Sequence, residues 1–186
     1  IIELVSGLSL ESFFQKMICE PLGMRDTWFN LPLAIQPRLT SIYTRDSLRF
    51  FTKMENGKSP ISPNFPNLNK SYFSGGAGLS STAKDYGIFL QMLLNKGYYN
   101  GKQILSPRTV EMILSNHSGR LMGDTHFGLG FSIVTPANTD DIRNVGTFSW
   151  GGAFATTYWA DPKENIVAVH CGMKVFAISV VTDLGI

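Results

Sequence analysis

Ser81-Thr82-Ala83-Lys84 sets a hydroxyl and an amine three residues apart. Inside a helix, residues at i and i+3 are neighbours. A lysine so placed can take the serine's proton while the hydroxyl oxygen attacks a carbonyl carbon, the opening step of covalent acyl transfer. That chemistry needs the two groups within about 2.6–3.2 Å of each other. The surrounding residues set a different expectation. Gly75, Gly76 and Gly78 form a flexible bend, Thr82 fits an N-cap, and Asp85 three residues on supports the cap and the helix dipole. Tyr86, Phe89, Leu90, Leu93 and Leu94 recur at helical spacing, and Gly97 reads as the stop. With Thr82 as the cap, Ser81 falls outside the helix and no longer shares a face with Lys84. The segment then reads as a helix start followed by a solvated lysine.

Trp150-Gly151-Gly152 is a second place of interest, because glycine in a strand either permits close backbone approach or marks a bulge. His117 and His126 sit in a polar connection with no assignable carboxylate partner and read as surface residues. His170 reads as a strand residue of unassigned facing. No histidine pair has zinc spacing, so neither a metal nor a cofactor is expected. Cys19 and Cys171 are far apart, form no metal or redox motif, and read as two free, buried thiols.

The elements that must position these residues follow from caps and periodicity. Ile1, Ile2, Leu4 and Val5 look like the tail of an apolar helix already under way, so residues are expected to precede Ile1, and no compartment is assigned. Ser9 can cap a helix whose buried side is Phe13, Phe14, Met17 and Ile18, with Leu8 and Phe13 as a staple and Pro21 and Gly23 ending it. Residues 30–71 read as a long irregular excursion rich in proline. Tyr98 to Lys102 reads as a turn, and Ser106-Pro107 as N-cap and N1 of a short helix to about Leu114. Phe127 to Val134, Gly146 to Trp150, Ala153 to Ala160 and Ile166 to Cys171 read as strands, with Asp161 to Asn165 turning an antiparallel hairpin. Phe176 to Val181 either begins a terminal helix or continues the sheet.

A chain of 186 residues with 44% hydrophobic and 16% charged residues is globular rather than disordered. A net charge of +2 without a Lys/Arg run argues against nucleic acid as a partner. No apolar stretch approaches the roughly 20 residues needed to span a bilayer.

Four blocks, in order, resemble the β-lactamase-like serine hydrolases: class C β-lactamases, D-alanyl-D-alanine carboxypeptidases and related esterases. Ser12 to Phe29 (SFFQKMICEPLGMRDTWF) is similar to the family's helix ending in a PLGM-x-x-T turn. Tyr72 to Gly97 resembles its GG-x-GL-x-ST-x-x-D helix, and Phe127 to Ser132 (FGLGFS) its G-x-G-F strand. Gly146 to Val169 resembles its active-site strand, with Trp150-Gly151-Gly152 in the place of a K-T-G or H-x-G triad. The resemblance implies an α+β fold, partial and β-lactamase/transpeptidase-like, with a helical part over about 1–125 and an antiparallel sheet over about 126–186, together the C-terminal portion of one domain.

The resemblance also implies roles. The backbone N–H of Ala153 would supply one oxyanion donor, Gly151 and Gly152 would let backbone approach the acyl carbonyl, and Trp150 would wall the pocket and offer its indole N–H. The family's S-x-x-K and Y-x-N motifs lie upstream of the PLGM block, so neither has its proper place here. Tyr98-Tyr99-Asn100 and His170-Cys171-Gly172 spell Y-x-N and H-x-G out of position. The expected function is therefore the C-terminal part of a hydrolase of esters, amides or β-lactams, acting through an acyl-enzyme, with this chain alone inactive. A non-catalytic binding or scaffold protein, and a small hydrolase using Ser81 and Lys84, remain open. Surfaces exposed by truncation are expected to favour self-association.

Overall fold

The computed structural model describes residues 1–45, 50–56, 62–76, 78–152, 154–171 and 180–181. The chain opens with α1 (Ile2–Ser6), closed by Gly7 in the left-handed region at φ 68°. Ser9 then caps α2 (Leu10–Phe14), its Oγ accepting the Ser12 amide at 3.2 Å. Pro21 does not end this helix as the sequence suggests. The chain instead widens into a π-turn over Gln15–Cys19, in which the Glu20 amide reaches back to Gln15, and continues through α3 (Glu20–Leu22). Pro21 has no N–H to give to a carbonyl one turn earlier, and a π-turn accommodates that gap. Gly23, at φ 74°, terminates the helix. Its amide bonds to Glu20 at 3.1 Å and that of Met24 to Cys19 at 2.9 Å, the paired bonds of a Schellman cap.

The excursion over 30–71 is less irregular than its prolines suggest. It contains 3₁₀ turns at Gln36–Arg38 and Phe65–Asn67, and a small antiparallel ribbon, β1 (Tyr43–Arg45) with β2 (Phe51–Lys53). The next long element, α4 (Ala83–Leu94), starts where the sequence places it. Thr82 is the N-cap, and its hydroxyl accepts the Asp85 amide at 3.2 Å. Its other end differs in detail. The left-handed residue is Lys96, at φ 55°, while the Gly97 amide closes the cap on Met92 at 2.8 Å. Gly97 is needed twice over: its φ is +89°, and a Cβ there would collide with the Leu105 carbonyl. Tyr98–Tyr99 (β3) and Lys102–Gln103 (β4) pair around Asn100 and Gly101, which both have positive φ, the geometry of a type I′ turn. Ser106 caps α5 (Pro107–Ile113), accepting the Thr109 amide at 3.0 Å.

The remaining chain forms a six-stranded antiparallel sheet in the order β10-β9-β8-β7-β6-β5. The single strand read over Phe127 to Val134 is two strands, β5 (His126–Phe127) and β6 (Ser132–Ile133). Two glycines between them force the reversal. Gly130 has φ +100°, and Gly128 lies so close to the Ile113 carbonyl that a side chain would not fit. Strands β7 (Phe148–Gly151), β8 (Thr156–Asp161) and β9 (Ile166–Cys171) form the broad centre. Asp161 shapes the β8–β9 turn by accepting the Lys163 and Glu164 amides, at 2.8 and 3.2 Å. Val180–Val181 (β10) continues the sheet antiparallel to β9; residues 176–179 of that apolar run lie outside the described residues.

The result is an α+β fold with its core between α4 and one face of the sheet. Phe148, Ala160 and Val167 stand in register across β7, β8 and β9, and all are buried. Leu90, Met92 and Leu93 of α4 are buried in the same cluster. Tyr86 of α4 lies against Tyr158 of β8 with ring centroids 4.5 Å apart, and burial pushes both phenol pKa values up.

The α4 terminus yields a paired expectation of opposite sign. A non-glycine residue in the left-handed region costs about 1–2 kcal/mol, so Lys96→Gly should raise stability by up to about 1 kcal/mol once glycine's own entropy cost is subtracted. Gly97→Ala, one residue on, should lower it by more than 1 kcal/mol. Urea unfolding of the two variants checks both signs.

Candidate functional site

The Trp150-Gly151-Gly152 segment ends β7 at the upper edge of the sheet's centre. Strand β6 pairs with β7 only at Phe148 and Ser149, so Trp150 and Gly151 run on past their last neighbour on that side. On the other side, Trp150 faces Tyr158 and Gly151 faces Thr157 of β8. The Gly152 amide donates to the Thr156 carbonyl at 2.9 Å. Backbone groups on a strand alternate in direction, so the Gly151 N–H and C=O point away from β8, toward the open edge. Trp150 is 46% exposed beside that edge. Phe127 of β5 packs edge-on against its indole, centroids 4.8 Å apart at 77°, and Thr157 Oγ1 donates to its carbonyl at 3.3 Å. The indole N–H has no hydrogen-bond partner among the described residues. A free backbone amide beside an aromatic wall can approach a carbonyl oxygen and stabilise charge developing on it. Ala153, for which the resemblance implies the oxyanion role, lies outside the described residues.

Ser81 and Lys84 lie elsewhere, at the start of α4. Ser81 precedes the Thr82 cap, as the capping pattern suggests. Its hydroxyl sits 2.7 Å from Thr27 Oγ1, which donates to the Asp85 carboxylate at 2.9 Å. The same carboxylate oxygen accepts the Asp26 amide at 2.7 Å. Lys84 is exposed, and no hydrogen bond joins it to Ser81 among the described residues. Asp26 in turn takes a bidentate bond from Arg38, at 2.6 and 2.8 Å, and that hydrogen bonding lowers its pKa. Trp28 and Ser80 exchange backbone bonds at 2.9 Å in both directions, fixing the PLGM turn to the start of α4. The role of Thr27, the threonine of the PLGM-x-x-T turn, as a partner of Asp85 is what the sequence reading missed. Nothing in the spacing of Thr27 and Asp85 signals their contact, which is set by the tertiary fold.

The other candidates disperse. His117 holds a loop: its ring Nε2 lies 2.7 Å from the Met112 carbonyl, and its amide donates to Phe127 at 2.8 Å. His126 is exposed at the start of β5. His170 stands opposite Thr157 on β9, on the sheet face opposite to Trp150, and its Nδ1 is buried without a partner among the described residues. Tyr98 to Asn100 lie in the β3–β4 hairpin. The two thiols are free but not both buried: Cys19 is buried and Cys171 exposed at the end of β9. Burial, aided by the Asp85 charge, pushes the Cys19 thiol up to about 11. No group of three or more His, Cys, Asp or Glu side chains that could hold a metal occurs among the described residues. No helix among them is long and apolar enough to cross a membrane.

Comparison with known proteins places this geometry in context. A model of the Beta-lactamase family matches residues 1–170. An uncharacterized protein of Mycobacterium tuberculosis (strain CDC 1551 / Oshkosh) is 30% identical over 185 residues, covering 91% of this chain and 45% of that protein. A lovastatin esterase of Penicillium rubens is 26% identical over 195 residues, covering 91% of this chain and 46% of the esterase. Among solved structures, EstCE1, described as a hydrolase with promiscuous acyltransferase activity, superposes with a TM-score of 0.75 at 25% identity, covering 90% of this chain and 46% of that one. The chain thus spans less than half the length of the curated relatives it matches.

Asp85→Ala tests the tie between the PLGM turn and α4. It abandons the Asp26 amide and the Thr27 hydroxyl, and each buried donor left unpaired costs about 1–3 kcal/mol. Thermal unfolding should show a loss of that order, while Ser81→Ala, at an exposed position, should cost less than 1 kcal/mol.

Proposed function

The chain belongs to the beta-lactamase family, and on that premise we propose that it forms the strand side of a serine hydrolase cleft acting on esters, amides or β-lactams. The observation that carries this reading is the open edge of β7, where the Gly151 amide faces away from β8 beside the exposed Trp150. In this reading the Ala153 N–H is an oxyanion donor, and Trp150 walls the acyl pocket. A serine, a lysine and a tyrosine come from sequence upstream of the PLGM block, within the same domain of which residues 1–186 are the C-terminal portion. The serine oxygen attacks the carbonyl carbon, its proton passing to the base. The oxyanion is held by backbone donors until the leaving group departs with a proton, and water then releases the acyl group. The names of the relatives, an esterase and a hydrolase with acyltransferase activity, are in keeping with ester substrates.

Ser81 is a poor nucleophile in this arrangement. It lies before the helix, its hydroxyl is engaged by Thr27, and among the described residues no hydrogen bond joins it to a lysine or histidine. Incubation of this chain with a chromogenic cephalosporin, a p-nitrophenyl ester and a fluorophosphonate should give neither turnover nor adduct. A stoichiometric adduct on Ser81 by mass spectrometry would overturn the reading. A chain extended upstream should hydrolyse at least one of these substrates, and Ala153→Pro, which deletes the N–H, should then lower kcat by about 10²–10³-fold. Silence of the extended chain would favour a non-catalytic binding role.

We also propose that the chain self-associates. Ile1, Leu4 and Val5 of the α1 region are 97%, 88% and 83% exposed, three apolar side chains left to water side by side. Light scattering should show a mass that grows with concentration; a monomer throughout the millimolar range would count against it.

A further inference from the structure

Gly152 is gripped at three points, and one of them is a side chain that no sequence pattern marks. Its N–H is given to the Thr156 carbonyl at 2.9 Å, and its own carbonyl accepts the Ala155 amide at 3.1 Å. Ala155 takes an unusual φ of +59° in closing this turn. The third point is Thr156 Oγ1. It sits so close above the glycine that a Cβ placed on Gly152 would lie 2.5 Å from it. Glycine at this position is free to rotate in ways that other residues are not. A hydroxyl beside its Cα narrows that freedom, and a side chain there would fit only if the hydroxyl shifted.

We infer that Thr156 is a positioning residue, whose Oγ1 bears on Gly152 and holds the peptide that follows Trp150-Gly151 in one orientation. The inference rests on the reading of this strand as the oxyanion side of a hydrolase cleft. Oxyanion donors act only when preorganised, so loosening one should slow the chemical step more than it weakens substrate binding. Thr156 touches no reacting atom. Its effect passes entirely through the glycine.

Two measurements test this, one of which needs no activity. In the 186-residue chain, amide hydrogen exchange should show Gly152 losing at least fivefold protection in Thr156→Ala, with Val169 on β9 unchanged and Thr156→Ser restoring the original rate. In an upstream-extended, active chain, Thr156→Ala should lower kcat about 10- to 100-fold, the range expected of misplacement rather than outright loss of a donor, with KM within twofold. Thr156→Ser should recover most of the rate. Gly152→Ala should be strongly impaired, and Gly152→Ala combined with Thr156→Ala should regain at least tenfold, because the second change vacates the space that the new methyl needs. Unchanged exchange in Thr156→Ala overturns the inference, as does a loss of kcat matched by a rise in KM and a fall in Tm. Altered exchange with an extended chain silent toward esters and fluorophosphonate would leave the clamp standing and remove the hydrolase reading instead.

Discussion

The seating of α4 on one face of the sheet is the contact on which the rest of the structure depends. Leu90 and Met92 from the helix and Phe148 and Ala160 from the strands are all fully buried in a single cluster. Each large side chain placed there contributes about 1.5–3 kcal/mol by leaving water. The cluster also sets geometry. With Phe148 anchored in the core, the alternation of β7 brings Trp150 to the same face two residues on, at the rim where helix cover ends. The end of β7 is thus placed by its own buried beginning.

A second tie complements the first. The PLGM turn docks on the start of α4 through paired backbone bonds between Trp28 and Ser80, and through the Asp85 carboxylate, which collects the Asp26 amide and the Thr27 hydroxyl. Segments nearly sixty residues apart are joined here by groups with no periodicity to reveal them. The acid that supports the helix cap is the same one that binds the turn. This double duty accounts for the burial of Asp85, which with Asp161 is one of two carboxylic acids at 4% exposure among the described residues.

What could be read in advance followed the range of the forces involved. Thr82, Ser9 and Ser106 cap their helices through bonds spanning three residues, and Asp161 makes its turn in the same way, so local pattern reveals them. The order of the four family-like blocks was legible too, and with it the fold class. The failures lie where tertiary contact overrides local preference. The glycines at 128 and 130 look like interruptions of one strand, yet Gly128 is required by a carbonyl from α5 that only the fold brings near. Pro21 looks like a terminator, but the helix widens to keep it. The Thr156–Gly152 contact was invisible, because a threonine on a strand is ordinary until its neighbour across the turn is known.

The widened turn over Gln15–Cys19 has a bearing on how this segment tolerates change in length. Each residue of an α-helix advances the chain by about 100° around the axis, and a π-turn holds one residue more than the regular spiral would. Loss of a single codon between Gln15 and Cys19 could be absorbed by tightening to the regular spiral, leaving Cys19 and Leu22 facing inward. Gain of a codon has no such outlet. It would swing both side chains away from the interior and carry the PLGM turn off its seat, so the gene is asymmetric at this point, forgiving of shortening and intolerant of lengthening.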